Sequence, residues 1–186
     1  MGLNPGGSNF EDPMPSVEEG NAYWVERWGK NGAYNSLQRQ VQKLFHGTSV
    51  KSQIGNWRTL LDNSLDSNFI PFRSSSYQNL QREKEVMEFS EELWKNILPN
   101  IHPHMIFCIG NGPKSSYRFL GELFGTRKLE ELDAKWGSSK VTLSQMSKDG
   151  NLIPVVAFPH LSRFQIFARD ESYLFSMKSS LLLPKS

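Results

Sequence analysis

Apolar residues recur at two spacings along the chain, and segments of the two kinds alternate. After Ser36, Leu37, Val41, Leu44 and Phe45 repeat at the three-to-four spacing of one helix face. Residues 82–97 give the clearest helix: Val86, Phe89, Leu93 and Ile97 form one stripe, and Pro99 is expected to stop it. A shorter helix is expected around Ile54, Trp57, Leu60 and Leu61. Another is expected after Ser16 as cap, with Glu18 and Glu19 in its first turn and Tyr23, Trp24, Arg27 and Trp28 along it; Gly29 and Gly32 would end it. The strand candidates differ in texture. Asn68-Phe69-Ile70-Pro71-Phe72 runs into a polar turn, Arg73-Ser74-Ser75-Ser76. The continuous apolar run His104 to Gly110 fits a strand buried on both faces. Asn111-Gly112-Pro113 then leads into a helix from Lys114 to Phe124, closed by Gly125. Lys140 to Met146 alternates and suggests a further strand, an edge position being one option, and Lys148-Asp149-Gly150-Asn151 reads as a turn. Leu152 to Phe158 is a second buried strand, and a last amphipathic helix is expected from Asp170 to Leu182.

Strands that alternate with helices predict an α/β fold, here a three-layer α/β/α sandwich around a central, mainly parallel four-stranded sheet. The 186 residues suit one domain spanning 1–186, with no internal repeat. A Gly-, Pro- and Asn-rich loop begins at residue 2, so the strand that such a fold would place before it is expected to be missing or truncated.

Composition narrows the classes. Hydrophobic residues make up 38% of the chain and charged residues 22%, ordinary values for a globular protein. No apolar run approaches the roughly 18 residues of a membrane span, and the N-terminal residues lack the regions of a signal peptide, so neither membrane nor secretion is expected. The single cysteine, Cys108, excludes an internal disulfide framework and a Cys-built metal centre. It lies within an apolar run and reads as a core residue, and a cytoplasmic (bacterial nucleoid or eukaryotic nuclear) setting follows. His46, His102 and His104 have no carboxylate or Cys partners at ligand spacing, so no metal and no cofactor are expected. Lys and Arg number 21 against 19 Asp and Glu, which neither demands nor excludes nucleic acid; a polyanion binder of this composition must concentrate its cations on one face. The densest charge run, Arg82-Glu83-Lys84-Glu85, mixes both signs and reads as a solvated helix face.

Ligands of open α/β sheets bind outside the carboxyl ends of the strands. Four segments would lie there: Gly2-Leu3-Asn4-Pro5-Gly6, Asn68 to Phe72, Gly110-Asn111-Gly112 and Pro159-His160-Leu161-Ser162-Arg163-Phe164. Each sets an Asn or His beside Gly or Pro, a rigid backbone with a neutral polar side chain, which suits a planar amide ligand. Singly, each has a plainer reading: Asn4-Pro5-Gly6-Gly7 as a turn, Asn68 as a backbone cap, His160 as a structural histidine, Arg163 as surface charge and Phe164 as core.

Taken in order, the four resemble the uracil-DNA glycosylase superfamily. Gly2-Leu3-Asn4-Pro5-Gly6 is similar to its first active-site motif, nearest to the mismatch-specific and single-strand-selective branches, which read Gly-Ile/Met-Asn-Pro-Gly. Ser67 to Pro71 resembles the strand whose Asn reads the pyrimidine edge, Ile106 to Asn111 the third core strand, and His160-Leu161-Ser162-Arg163-Phe164 the second motif, His-Pro-Ser-Pro with its intercalating residue. A second register sets Phe158-Pro159-His160 on His-Pro-Ser. The second motif here lacks its usual internal prolines, and Asn4 stands where the fastest branch has Asp.

The resemblance implies hydrolysis of the N-glycosidic bond of uracil or a related damaged base flipped out of single-stranded or mismatched DNA, by a monomer acting in base-excision repair. Asn4 would position the water; Asn is no general base, so the rate would be modest. Gly2, Leu3, Pro5 and Gly6 would line the base pocket with Phe10 stacked on the base (Tyr23 being the other ring near in sequence), and Asn68 would pair with the N–H and C=O edge. His160 would donate to the base oxygen as it becomes anionic. Ser162, Arg163 and Phe164 would meet the DNA, Arg163 and Phe164 as a wedge. The competing expectation is a superfamily member without chemistry, acting as a nucleic-acid- or protein-binding module. A hydrolase built on Ser162 or Cys108 is disfavoured, because neither lies in a Gly-x-Ser-x-Gly elbow.

Overall fold

The computed structural model describes residues 1–3, 21–52, 55–72, 74 and 76–168. In chain order they form α1 (Ala22–Val25), α2 (Ser36–Ser52), α3 (Trp57–Asp62), α4 (Glu83–Asn100), β1 (Ile106–Ile109), α5 (Ser116–Phe124), β2 (Arg127–Asp133), β3 (Lys140–Lys148) and β4 (Asn151–Phe158). They fall into two compact units. The first holds the described residues within Met1–Pro13, Ser67–Leu132 and Lys140–Pro159, the second those within Met14–Asp66, Asp133–Ser139 and His160–Ser186.

The first unit is α/β, built on a four-stranded sheet in the order β1-β4-β3-β2. The sheet is mixed, where a mainly parallel one was expected. β1 runs parallel to β4, but β3 pairs antiparallel with β4 from Lys148↔Asn151 to Thr142↔Ala157. The cause is local. Asp149 and Gly150 both take positive φ, 50° and 80°, the conformation of a two-residue hairpin turn, which folds β3 directly back on β4. β3 is therefore interior to the sheet, not an edge strand. The edge is β2, which the sequence pattern did not announce: its Arg-Lys-Leu-Glu-Glu-Leu-Asp is largely exposed and carries no apolar face to count.

Residues 1–3 extend this sheet beyond β1. Met1 N donates to Phe107 O (2.6 Å) and Ile109 N to Met1 O (2.8 Å), the slanted pattern of a parallel pair. On the other side Gly2 N donates to Ser67 O (2.9 Å), Phe69 N to Gly2 O (2.9 Å) and Ile70 N to Leu3 O (2.7 Å), and Gly2↔Asn68 is a parallel bridge. Residues 68–72 thus form one bridge rather than the full strand expected. Segment 67–70, segment 1–3, β1 and β4 lie side by side and run in one direction.

One core packs Leu98 of α4 and Leu120 of α5 against Ile106, Cys108, Val155 and Ala157 of the sheet. A second gathers Phe69, Ile70, Tyr77 and Trp94, with Leu3 packed against it. The buried face of α4 is rotated from the expected stripe. Ser90, Trp94 and Leu98 are buried, whereas Phe89 is 50% exposed. Trp94 Nε1 donates to Phe69 O (2.9 Å), and Ser90 Oγ turns back on Val86 O (2.7 Å), so both polar atoms are satisfied inside. Pro99 does not stop α4 but sits within its last turn. α5 starts at Ser116, two residues later than expected, because Ser115 caps it through Arg118 N.

The second unit contains α1 to α3. The expected helix over Tyr23 to Trp28 shrinks to the single turn α1, capped by Asn21, whose side chain accepts from Tyr23 N (3.0 Å); Arg27 and Trp28 lie beyond its end. Ser16 and its first turn lie outside the described residues, as do Ile54 and the helix expected from Asp170 to Leu182. α2 matches expectation, with Val41 and Leu44 buried. Among the described residues no helix is long and apolar enough to cross a membrane.

Candidate functional site

The parallel segments of the first unit set their carboxyl ends along one edge. Chain order reverses there: segment 1–3 has the later segment 67–70 on one side and β1 on the other. Such a switch point is where open α/β sheets leave a crevice for ligands. Gly2, Leu3, Asn68, Gly110 and Asn111 stand at this edge.

The Asn68 side chain is the best-defined feature of the edge. It is half-buried, and its amide has no hydrogen-bond partner among the described residues. Its Oδ1 lies over the Gly2 backbone so closely that a Cβ on Gly2 would fall 2.3 Å from it. Gly2 is therefore a glycine for space, not for backbone conformation. The backbones on both sides are pinned by the bridge, so the amide projects from a fixed platform. The Leu3 side chain packs against the Phe69–Trp94 cluster.

Beyond β1 the edge is shaped by the turn at Gly110, whose φ of +124° few side chains tolerate. Gly110 N donates to Phe158 O (2.9 Å), which carries the β1–β4 pairing one step further. Asn111 Nδ2 donates to Lys140 O (2.6 Å), tying the turn to the start of β3. Ser116 Oγ donates to Met1 O (3.3 Å). Asn111 Nδ2 is spent on this brace, and the Asn68 amide is left open among the described residues.

Asn4, Pro5, Gly6 and Phe10 lie outside the described residues. His160, Ser162, Arg163 and Phe164 belong to the second unit and form one turn, in which Arg163 N and Phe164 N both donate to His160 O (2.9 Å each). Leu161 anchors the turn, fully buried, and Ser36 Oγ donates to Ser162 O (3.2 Å). The Ser162 hydroxyl lies 2.8 Å from His160 Nδ1. Partial burial, and secondarily the Arg163 charge, hold the His160 pKa below the ordinary histidine value, so the ring is neutral at pH 7. Ser162 Oγ and His160 Nδ1 share one hydrogen bond, and the neutral ring keeps a single N–H. Arg163 is exposed and forms no ion pair among the described residues; Phe164 is half-buried.

Comparison with known proteins adds no relative: no family model, no curated protein and no solved structure matches this chain.

Two other features bear on the chemistry. Cys108 is fully buried, and burial pushes its thiol up to about 11, so it is no nucleophile at neutral pH. A cavity of about 620 Å³ opens among Phe124, Arg127, Gln145, Ser147 and Leu152. Leu152 is the second residue of β4, so this cavity lies by the amino end of that strand, away from the edge carrying Asn68. Among the described residues no group of three or more His, Cys, Asp or Glu is arranged to hold a metal ion.

The pairing of Ser162 with His160 was missed in the sequence. Its signal is the i, i+2 spacing of a hydroxyl and an imidazole inside one tight turn. The brace role of Asn111 had no signal, because its partner is a backbone carbonyl 29 residues away.

Proposed function

We propose that this chain is a uracil-DNA-glycosylase-like domain that takes a pyrimidine flipped out of single-stranded or mismatched DNA and hydrolyses its N-glycosidic bond. The observation that carries the reading is the open Asn68 amide, set close against Gly2 at the carboxyl edge of adjacent parallel segments. An Asn amide offers one acceptor and two donors, which complements the N–H and C=O edge of uracil. The first motif continues from Gly2 and Leu3 straight into Asn4, the residue assigned to hold the attacking water. The reading carries with it a three-layer α/β/α arrangement.

The chemistry asks little of the protein beyond placement and charge. Water attacks the sugar carbon as its bond to the base nitrogen breaks; the electron pair stays with the base, delocalised from that nitrogen onto the carbonyl oxygen, and the proton released by the water passes to solvent and finally to the base anion. The resemblance assigns His160, held neutral at pH 7, to donate its ring N–H to that oxygen. A donor placed where charge develops stabilises the transition state more than the ground state, which raises turnover without tightening binding. Asn4 has no basic group, so the mechanism depends on oxyanion stabilisation and the rate is modest.

The test is single-turnover base release from uracil-containing single-stranded and mismatched DNA, for the wild type and Asn68→Asp. The ionised Asp cannot donate, and losing one such contact at a polar edge costs about 1–3 kcal/mol, roughly a five- to 150-fold loss of release. Equal release by a folded Asn68→Asp protein removes Asn68 from the role. No release from any uracil substrate by the wild type leaves the binding-module reading in its place.

A further inference from the structure

The second unit carries an aromatic and cationic surface that the glycosidic chemistry does not use. Residues 21–62 hold six Lys or Arg against two Asp or Glu, whereas the whole chain is nearly balanced at 21 against 19. Three of the five Trp lie in the same stretch. The structure sets Arg27 and Arg58 over the rings, with the two acids of the stretch at their edges: Trp24 Nε1 donates to Asp62 Oδ1 (2.8 Å) and Trp28 Nε1 to Glu26 Oε2. The Arg58 guanidinium carbon sits 5.4 Å from the centre of the Trp24 ring and 5.2 Å from that of Trp57. That of Arg27 sits 3.9 Å over Tyr34, while its Nη1 donates to Trp24 O (2.9 Å). Tyr34 Oη also donates to Trp24 O (2.6 Å), so the two arginine–aromatic stacks share one backbone anchor. Arg27 and Arg58 are exposed, Trp24, Tyr34 and Trp57 are half-buried, and Trp28 is 42% exposed.

We propose that this face is a stacking platform for single-stranded DNA. Rings locked by their neighbours present flat surfaces at low entropic cost, and arginines laid over them add a second plane and a positive charge; bases stack on aromatic rings and on guanidinium planes alike. Duplex DNA hides its base faces and cannot use such a surface. The excess of cations over anions along residues 21–62 favours a polyanion over an uncharged partner. The platform is continuous with the turn bearing His160. Tyr34 leads into α2, and Ser36, two residues on, donates to Ser162 O (3.2 Å), so a strand lying across the rings meets Arg163 at the same end of α2. The choice of DNA over RNA rests on the glycosylase reading; the platform itself does not.

The experiment measures binding of a fluorescent oligothymidylate, which contains no uracil and so reports the platform separately from base release. Fluorescence anisotropy is followed across a salt series for the full chain, with oligouridylate and a duplex of equal length beside it. Expected are tighter binding of the DNA single strand than of either competitor, quenching of tryptophan emission, and a five- to 150-fold loss of affinity in Trp57→Ala that Trp57→Phe largely restores. Arg58→Ala is expected to lower the slope of log affinity against log salt by about 0.7. Trp28→Ala, which removes an exposed ring, gives the same affinity readout if Trp57→Ala fails to fold. Duplex bound as tightly as single strand, RNA bound more tightly than DNA, or unchanged affinity in the folded Trp variants each overturns the proposal.

Discussion

Replacing Gly2 by Ala places one methyl group where the structure has none to spare. The new Cβ would lie 2.3 Å from Asn68 Oδ1 and 3.4 Å from its Cγ, and the first distance is far inside contact. Something must move, and the candidates are unequal. Gly2 is fixed by its own N–H on Ser67 O and by Phe69 N on its carbonyl, both 2.9 Å, so the backbone cannot yield without breaking the bridge. The Asn68 amide has no partner among the described residues and can rotate. Forcing a side chain about 30° from its rotamer costs roughly 0.5–1.5 kcal/mol, against roughly 1–3 kcal/mol for overpacking that must shift backbone. Rotation wins, and Gly2→Ala is expected to cost about 1 kcal/mol of stability while displacing the one amide proposed to read the base.

The measurement is a double-mutant cycle. Gly2→Ala, Asn68→Ala and the double variant are compared by urea denaturation and by single-turnover release. Each single change is expected to lower release by about five- to 150-fold. In the Asn68→Ala background the oxygen is gone, so Gly2→Ala should add almost nothing, a coupling of about 1–3 kcal/mol in activity. If Gly2→Ala is as harmful with Ala at position 68 as with Asn, the contact between them is not what Gly2 protects, and the assignment of the edge fails.

Two further outcomes follow from protonation and burial. His160 titrates below the ordinary histidine value, from burial first and Arg163 second, so Arg163→Ala should raise its midpoint in an NMR pH titration; a fall, or no change, refutes the placement of Arg163 beside the ring. The sign for stability is fixed by the same shift: the unfolded chain takes up the proton at a higher pH than the folded one, so stability present above about pH 6.5 declines as pH falls toward the folded value. Cys108, fully buried with its thiol pushed up to about 11, should resist alkylation at pH 8 and react at the rate of unfolding, read by mass spectrometry in a urea series; rapid labelling of native protein contradicts its place in the core.

The elements legible in the sequence were those with one dominant periodicity. α2, β1 and β4 form where expected, because apolar spacing and burial agree there. α4 was found but turned: Phe89 suggested the stripe, whereas the buried face belongs to Trp94, whose indole can bury only where a carbonyl such as Phe69 O receives its N–H. Hydropathy ranks Phe89 above Trp94 and holds no information on that carbonyl. β2 was invisible for the opposite reason. An edge strand needs neighbours, not an apolar face, and charged residues suit an edge that must not pair with another chain. The direction of the sheet was misread at the same place, since the Asp149-Gly150 turn was recognised but not its consequence, a hairpin in which β3 must run antiparallel.

The candidate site was legible to a different depth. Gly2 and Asn68 were each singled out on motif grounds, but their contact gives Gly2 a reason that no motif contains: its missing side chain is the space in which the Asn68 amide sits. Their separation in the chain hides this, and the parallel bridge that joins them is a single pair too short to produce a strand pattern. The same holds for charge. A near-balanced total concealed a stretch from 21 to 62 with threefold more cations than anions, because the compensating acids lie elsewhere in the chain. Net charge constrains a polyanion site only through its distribution. That distribution had to be read against the folded positions of Arg27, Arg58 and the rings beneath them before it pointed to a surface at all.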